Sequence, residues 1–220
     1  MLFRSDAYDV RGRTAHEAIF NTNDGSFRCP SSQQGYSPFS TWTRGLAWAI
    51  CGYAEQLQFL DELSVGAFSG CSMTRAELAK VCMDAATATA EFYIQEACAD
   101  GAPVWDTGAP HLHRLRNYRD KDSDPFNDWE PIDSSAAAIA AQGLLRLGAV
   151  CQASRRTGEA TRYRQAGLTI ARTLFSDRFL SLDKNHQGLL LHSIYHRPNG
   201  WDFVAKGQRS EEHTSELQSQ

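Results

Sequence analysis

Apolar positions recur along this chain mostly at steps of three and four, in long runs separated by turn formers. The clearest run, Trp42, Leu46, Ala49, Ile50, Tyr53, Leu57 and Leu60, predicts a helix with Ser40 or Thr41 as its cap. A second helix is predicted from Arg75 to Ala99 after Ser72 or Thr74, with Leu78, Cys82, Ala85, Thr89 and Phe92 on its stripe. A third starts at Asp133 or Ser134 and carries Ala136, Ile139, Ala140, Leu144 and Leu147. A fourth runs from Gly158 to Phe175 with Tyr163, Ile170 and Leu174. Before these helices, Thr14–Phe20 and Ser26–Arg28 read as a short hairpin closed by Asp24-Gly25.

Between the second and third helices, residues 100–131 hold Trp105, Trp129, several prolines and many charges. An irregular stretch of that length is usually functional or disordered. Gly188–His196 is too short and too β-like for another long helix. Small Ala and Gly residues on the helix faces let neighbours approach closely. The pattern predicts an all-α chain of helix pairs in a toroid that bears its site at one end.

Composition narrows the class. The chain has 220 residues, 42% hydrophobic and 22% charged, with a formal charge of −4. That is the balance of a globular domain, or of part of a larger one. No window has the roughly 18 uninterrupted apolar residues expected of a membrane span. Met1-Leu2-Phe3-Arg4-Ser5-Asp6 lacks a secretory pattern, and the mildly acidic balance argues against nucleic acid as a partner. Cys29, Cys51, Cys71, Cys82, Cys98 and Cys151 form no CxxC pair, which disfavours zinc; they read as reduced and structural, pointing to the cytoplasm. The last twelve residues, Arg209–Gln220, hold one apolar side chain, Leu217. They look like a translated sequencing-adapter oligonucleotide or a disordered polar tail, so residues 1–208 are expected to form the partial domain.

Candidate chemistry is densest in Gln33-Gln34-Gly35-Tyr36 and Ser40-Thr41-Trp42-Thr43-Arg44-Gly45-Leu46-Ala47-Trp48. Arg44 and Trp48 share a helix face. A guanidinium is a fork for a carboxylate, and an indole suits the apolar face of a pyranose, so the pairing favours an anionic sugar. Equally, the two tryptophans can be core and Arg44 a surface ion pair. His16, on the hairpin, has a bland reading as a satisfied histidine. His192 and His196 are four apart but lack a third metal ligand at fixed spacing. The loop Tyr195–Asp202 suits a sugar-contacting rim or a plain turn at Pro198-Asn199-Gly200. Asp133 is explained by an N-cap. No GxSxG elbow or phosphate-cradling glycine loop is present.

Together these stretches resemble the unsaturated glucuronyl hydrolases, glycoside hydrolase family 88. The resemblance is carried by Gln34-Gly35-Tyr36, the WxRGxAW run from Trp42 to Trp48, Pro103-x-Trp105-Asp106, Asp133–Ala141, and Gly188-Leu189-Leu190-x-His192 with Tyr195-His196. It implies an incomplete (α/α)6 toroid acting on the unsaturated uronic acid at the non-reducing end of lyase-derived oligosaccharides. The implied chemistry is hydration of the C4=C5 double bond by an aspartate acid/base, without cofactor or metal. By motif match, His16, Gln34, Trp42, Arg44 and Trp48 bind the uronate. The family's catalytic aspartates fall upstream of Met1, so the chain is expected to be an inactive fragment. Leu46, where many relatives carry glutamine, and the long charged stretch Leu112–Asp128 are departures. An unsaturated rhamnogalacturonyl hydrolase and a non-catalytic helical sugar-binding protein are the alternatives. The sequence leaves the oligomeric state open.

Overall fold

A computed structural model describes residues 10–183 and 188–199. Its regular elements are a two-stranded hairpin, β1 (Glu17–Phe20) and β2 (Phe27–Ser31), and four long helices: α1 (Thr43–Glu62), α2 (Arg75–Glu96), α3 (Ser134–Ala153) and α4 (Thr157–Leu174). The predicted tail at Arg209–Gln220 lies outside the described residues, as do Gly200, Trp201 and Asp202.

The strands pair antiparallel, Glu17 opposite Ser31 and Ile19 opposite Cys29, with a register irregularity between Ile19 and Phe20. The turn closes as predicted: Gly25 sits at φ +71 and donates its N–H to the Asn21 carbonyl, a backbone that glycine adopts without strain.

The helices pack in two layers. α1 lies against α3, while α2 backs α1 and α4 backs α3. Across the outer layer, Arg162 of α4 grips Glu91 of α2 with both Nε and Nη2, at 2.9 and 2.7 Å. The α1–α3 approach depends on small residues: a Cβ on Gly143 would stand 2.7 Å from the Cys51 amide nitrogen. α3 is long and apolar enough to cross a bilayer by composition, and here that apolarity is spent on packing between α1 and α4.

Helix starts differ from the sequence expectation in one instructive way. Thr74 caps α2 in a reciprocal capping box with Glu77, and Asp133 caps α3 through Oδ1, which accepts the N–H groups of Ser135 and Ala136. Neither Ser40 nor Thr41 caps α1. The Ser40 hydroxyl donates to the Ser37 carbonyl and the Thr41 hydroxyl to the Thr14 carbonyl. Instead, the Thr43 N–H donates to the Trp105 carbonyl at 3.1 Å, and the Thr43 hydroxyl to the Val104 and Trp105 carbonyls.

That contact makes residues 103–107 the strap that aligns α1 with α3. On one side Trp42 pairs with Asp106; on the other Val104 pairs with Ile132, and the Asp133 N–H donates to the Pro103 carbonyl at 3.0 Å. The rest of the 100–131 connection is ordered around two buried carboxylates. Glu130 accepts Trp105 Nε1 and the His111 N–H, both at 2.8 Å. Asp100 accepts the Ser123 hydroxyl at 2.8 Å and Arg178 Nη2 at 3.0 Å. Each buried charge is thus hydrogen-bonded, the condition under which it can be tolerated.

Candidate functional site

Because the strap sets the first turns of α1 and α3 side by side, the predicted residues converge there. An open pocket of ≈ 540 Å³ is lined by Gln34, Trp42, Arg44 and Trp48, by Ser134, Ser135, Ala138 and Ile139 of α3, and by Leu189, Leu190, Ser193 and Tyr195. A larger cleft of ≈ 660 Å³ lies at the other ends of α1 and α3 and holds none of the predicted residues.

Within the pocket the two indoles differ. Trp48 is 55% exposed and offers its ring to solvent, whereas Trp42 is 7% exposed. Around Trp42, the His16 ring lies 4.6 Å away and the Arg44 guanidinium 4.8 Å from the ring centroid. Trp48 therefore presents an open ring face to the pocket, and Trp42 is a wall that seats its neighbours.

Arg44 is 4% exposed. Its Nη2 donates to the Tyr195 carbonyl at 2.7 Å, its Nη1 approaches Ser135 Oγ at 3.5 Å, and its Nε stands 4.0 Å from Asp133 Oδ2. The surface ion pair considered for this residue is replaced by a buried one. Gln34 joins the same carbonyl, donating Nε2 to Tyr195 at 3.1 Å.

His16 does not itself line the cavity. Its Nδ1 accepts the N–H groups of Gln33 and Gln34, each at 3.2 Å, and so fixes the turn that carries Gln34. Burial is the largest cause of its lowered pKa; the Glu17 charge opposes this, and the His196 and Arg44 charges add to the lowering. An Nδ1 that accepts two N–H groups requires the neutral, Nε2-protonated imidazole.

Beneath the Gln34–Tyr36 turn, Asp106 is fully buried. Its Oδ2 accepts the Tyr36 N–H at 2.9 Å and its Oδ1 the Gly108 N–H at 2.8 Å. Burial raises its pKa, against the lowering effect of the nearby Ser40 hydroxyl and of the Gly108 and Tyr36 N–H groups. Asp106 is thus enclosed scaffolding under the pocket edge.

The two C-terminal histidines do not meet in a metal site. His192 adopts φ +64, with the Phe126 and Phe179 rings edge-on at 5.0 and 5.8 Å. His196 is buried and accepts the Asn199 N–H on Nδ1 at 3.3 Å. Among the described residues, no group of three or more His, Cys, Asp or Glu is placed to hold a metal. Sequence reasoning missed Ser134, Ser135, Ala138 and Ile139 as lining; their spacing on α3 signals a helix face, and only its docking beside α1 turns that face toward the pocket.

No protein-family model matches the chain. It is 26% identical over 200 residues to an unsaturated glucuronyl hydrolase of Bacillus sp. (strain GL1), covering 90% of this chain and 44% of the relative. It is 29% identical over 134 residues to an unsaturated glucuronyl hydrolase of Formosa agariphila, covering 60% of this chain and 26% of that relative. The crystal structure of unsaturated glucuronyl hydrolase from Bacillus sp. GL1, described as responsible for the degradation of glycosaminoglycan, superposes with a TM-score of 0.62 at 26% identity, covering 89% of this chain and 44% of that one. The chain spans less than half the length of the relatives it matches.

The two helix layers are therefore part of an (α/α)6 toroid with a short hairpin beside its first inner helix. In both sequence and fold, the chain is similar to the unsaturated glucuronyl hydrolases.

Proposed function

We propose that this chain contributes the uronate-binding portion of a glycoside hydrolase that acts on the unsaturated uronic acid of lyase-derived oligosaccharides. The observation that carries this reading is the match to a glucuronyl hydrolase over 90% of the chain, together with the pocket that gathers Gln34, Trp42, Arg44 and Trp48. A solved structural neighbour of 26% identity, an unsaturated glucuronyl hydrolase variant with dGlcA-Glc-Rha-Glc, supports an oligosaccharide as the partner.

In this reading Trp48 stacks on the sugar ring, and Gln34 and Arg44 hold its polar groups, with Trp42 and His16 fixing Arg44 and the Gln34 turn. Hydration adds a proton at C4 and the water oxygen at C5. The hemiketal formed opens at C5–O5 to a C5 ketone, and the hemiacetal left at C1 collapses to an aldehyde, breaking the C1–O glycosidic bond and releasing the rest of the oligosaccharide as an alcohol. In this reading the acid/base aspartates are not among the residues of this chain. Asp106 and Asp133, beside pocket-lining residues, are fully buried and engaged with backbone N–H groups.

The test is a tryptophan-fluorescence titration of the 220-residue chain with a Δ4,5-unsaturated glucuronyl disaccharide, beside an absorbance assay for loss of the double bond. Saturable binding without turnover is expected. Turnover would overturn the assignment of the acid/base groups, and absence of binding would overturn the reading of the pocket.

A further inference from the structure

Three buried side-chain atoms without a hydrogen-bond partner gather where α1 and α3 begin: Arg44 Nε, Asp133 Oδ2 and Ser134 Oγ. Buried polar groups are almost always bonded, so their concentration in one place calls for a reason.

Capping accounts for only half of Asp133. Its Oδ1 takes the Ser135 N–H at 3.0 Å, the Ala136 N–H at 3.2 Å and the Ser135 hydroxyl at 2.7 Å. It also receives the Ile194 N–H, at 3.5 Å. A serine or asparagine caps a helix about as well, so the cap does not need a charge. The second oxygen, Oδ2, faces Arg44 at 4.0 Å, in a residue that is 0% exposed.

Arg44 has the complementary need. It is buried, and its other neighbours are neutral: the Tyr195 carbonyl, Ser135 Oγ and the Trp42 ring. Among the described residues Asp133 is the carboxylate paired with it. A buried cation stripped of its counter-ion is strongly unfavourable and seeks solvent. Asp133 also reaches Arg44 by a second route, since the Ser135 hydroxyl that donates to Oδ1 stands next to Arg44 Nη1.

We infer that Asp133 is a positioning residue for Arg44: its charge holds the guanidinium against the pocket wall, and sugar affinity depends on it through Arg44. This rests on the proposed role of Arg44 in uronate binding. The sign is diagnostic. Coulomb's law alone predicts that removing a negative charge beside the pocket strengthens binding of an anionic sugar; loss of the held geometry weakens it.

The experiment is a double-mutant cycle on the fluorescence titration, with the unsaturated glucuronyl disaccharide as probe and Asp133→Asn, Arg44→Gln and the double variant. Asp133→Asn keeps an oxygen for the cap, and Asp133→Ser serves if that variant folds poorly. Expected is at least tenfold weaker binding in the single Asp133 variant and no further loss in the Arg44→Gln background. Wild-type or tighter binding, or an equal loss in both backgrounds, overturns the inference. A ligand-free arm separates it from the uronate reading: NMR exchange of the Arg44 Nε–H should accelerate at least tenfold in the Asp133 variant while α3 amides stay protected. Unchanged exchange overturns the positioning role even if no sugar binds the wild type.

Discussion

His16 Nδ1 accepts the backbone N–H of Gln34 at 3.2 Å, which links the protonation of one side chain to the shape of the turn carrying another pocket residue. The folded state lowers the His16 pKa below 6.5, chiefly through burial. The unfolded chain then binds more protons between pH 6.5 and the folded value, so this contribution to stability is present above pH 6.5 and is lost as pH falls through the folded pKa. His16→Asn keeps an acceptor but does not titrate. Urea unfolding at pH 7 and pH 5 should show the wild type losing stability relative to this variant; parallel behaviour of the two proteins would contradict the assignment.

The two pocket indoles should separate stability from affinity. Trp42→Ala removes a buried ring and should cost about 3–5 kcal/mol in denaturant unfolding. Trp48→Ala removes an exposed ring and should stay within about 0.5 kcal/mol of wild type. Sugar affinity, measured by calorimetry, should fall about tenfold in Trp48→Ala, roughly 1.4 kcal/mol of stacking. A Trp48 variant with full affinity would remove that ring from the contact.

Asp106 should be the costliest carboxylate to delete on this face of the molecule. Asp106→Ala strands the Tyr36 and Gly108 N–H groups in a buried place and should destabilise by about 2–4 kcal/mol. Asp106→Asn, which retains one acceptor, should lose less. Thermal unfolding orders the three proteins, and equal stability of the alanine variant would show that those N–H groups find water.

Two glycines in the inner helices should respond in opposite directions. A Cβ on Gly143 meets Cys51 backbone atoms at 2.7 and 2.9 Å, so Gly143→Ala must push α1 from α3 and should cost about 1–3 kcal/mol. On α1, a Cβ at Gly52 meets nothing within 4 Å, and Gly52→Ala should gain about 0.5–1 kcal/mol from helix propensity. Chemical denaturation of both variants checks the pair of signs.

Much of this architecture was legible in the sequence because it is encoded locally. The 3.6-residue period marks all four helices, Ser72 or Thr74 marks one start and Asp133 or Ser134 another, and Asp24-Gly25 marks the hairpin turn. The start of α1 was not legible, since its first N–H is satisfied by Trp105, 62 residues away, while the nearby hydroxyls of Ser40 and Thr41 are used elsewhere. The order of residues 100–131 was hidden for the same reason: Glu130 and Asp100 act through partners distant in sequence. At the site, Arg44 and the two tryptophans stood out by side-chain type. That Arg44 is buried with Asp133, and that Trp48 rather than Trp42 is open, are consequences of packing that no spacing rule contains.

The most direct measurement is a crystal structure of the chain grown with a Δ4,5-unsaturated glucuronyl disaccharide. The unsaturated ring is expected in the ≈ 540 Å³ pocket, lying on Trp48 with its polar groups toward Gln34 and Arg44. A sugar bound elsewhere, or a pocket left empty at saturating ligand while Trp48 and Arg44 keep their present positions, would contradict that placement.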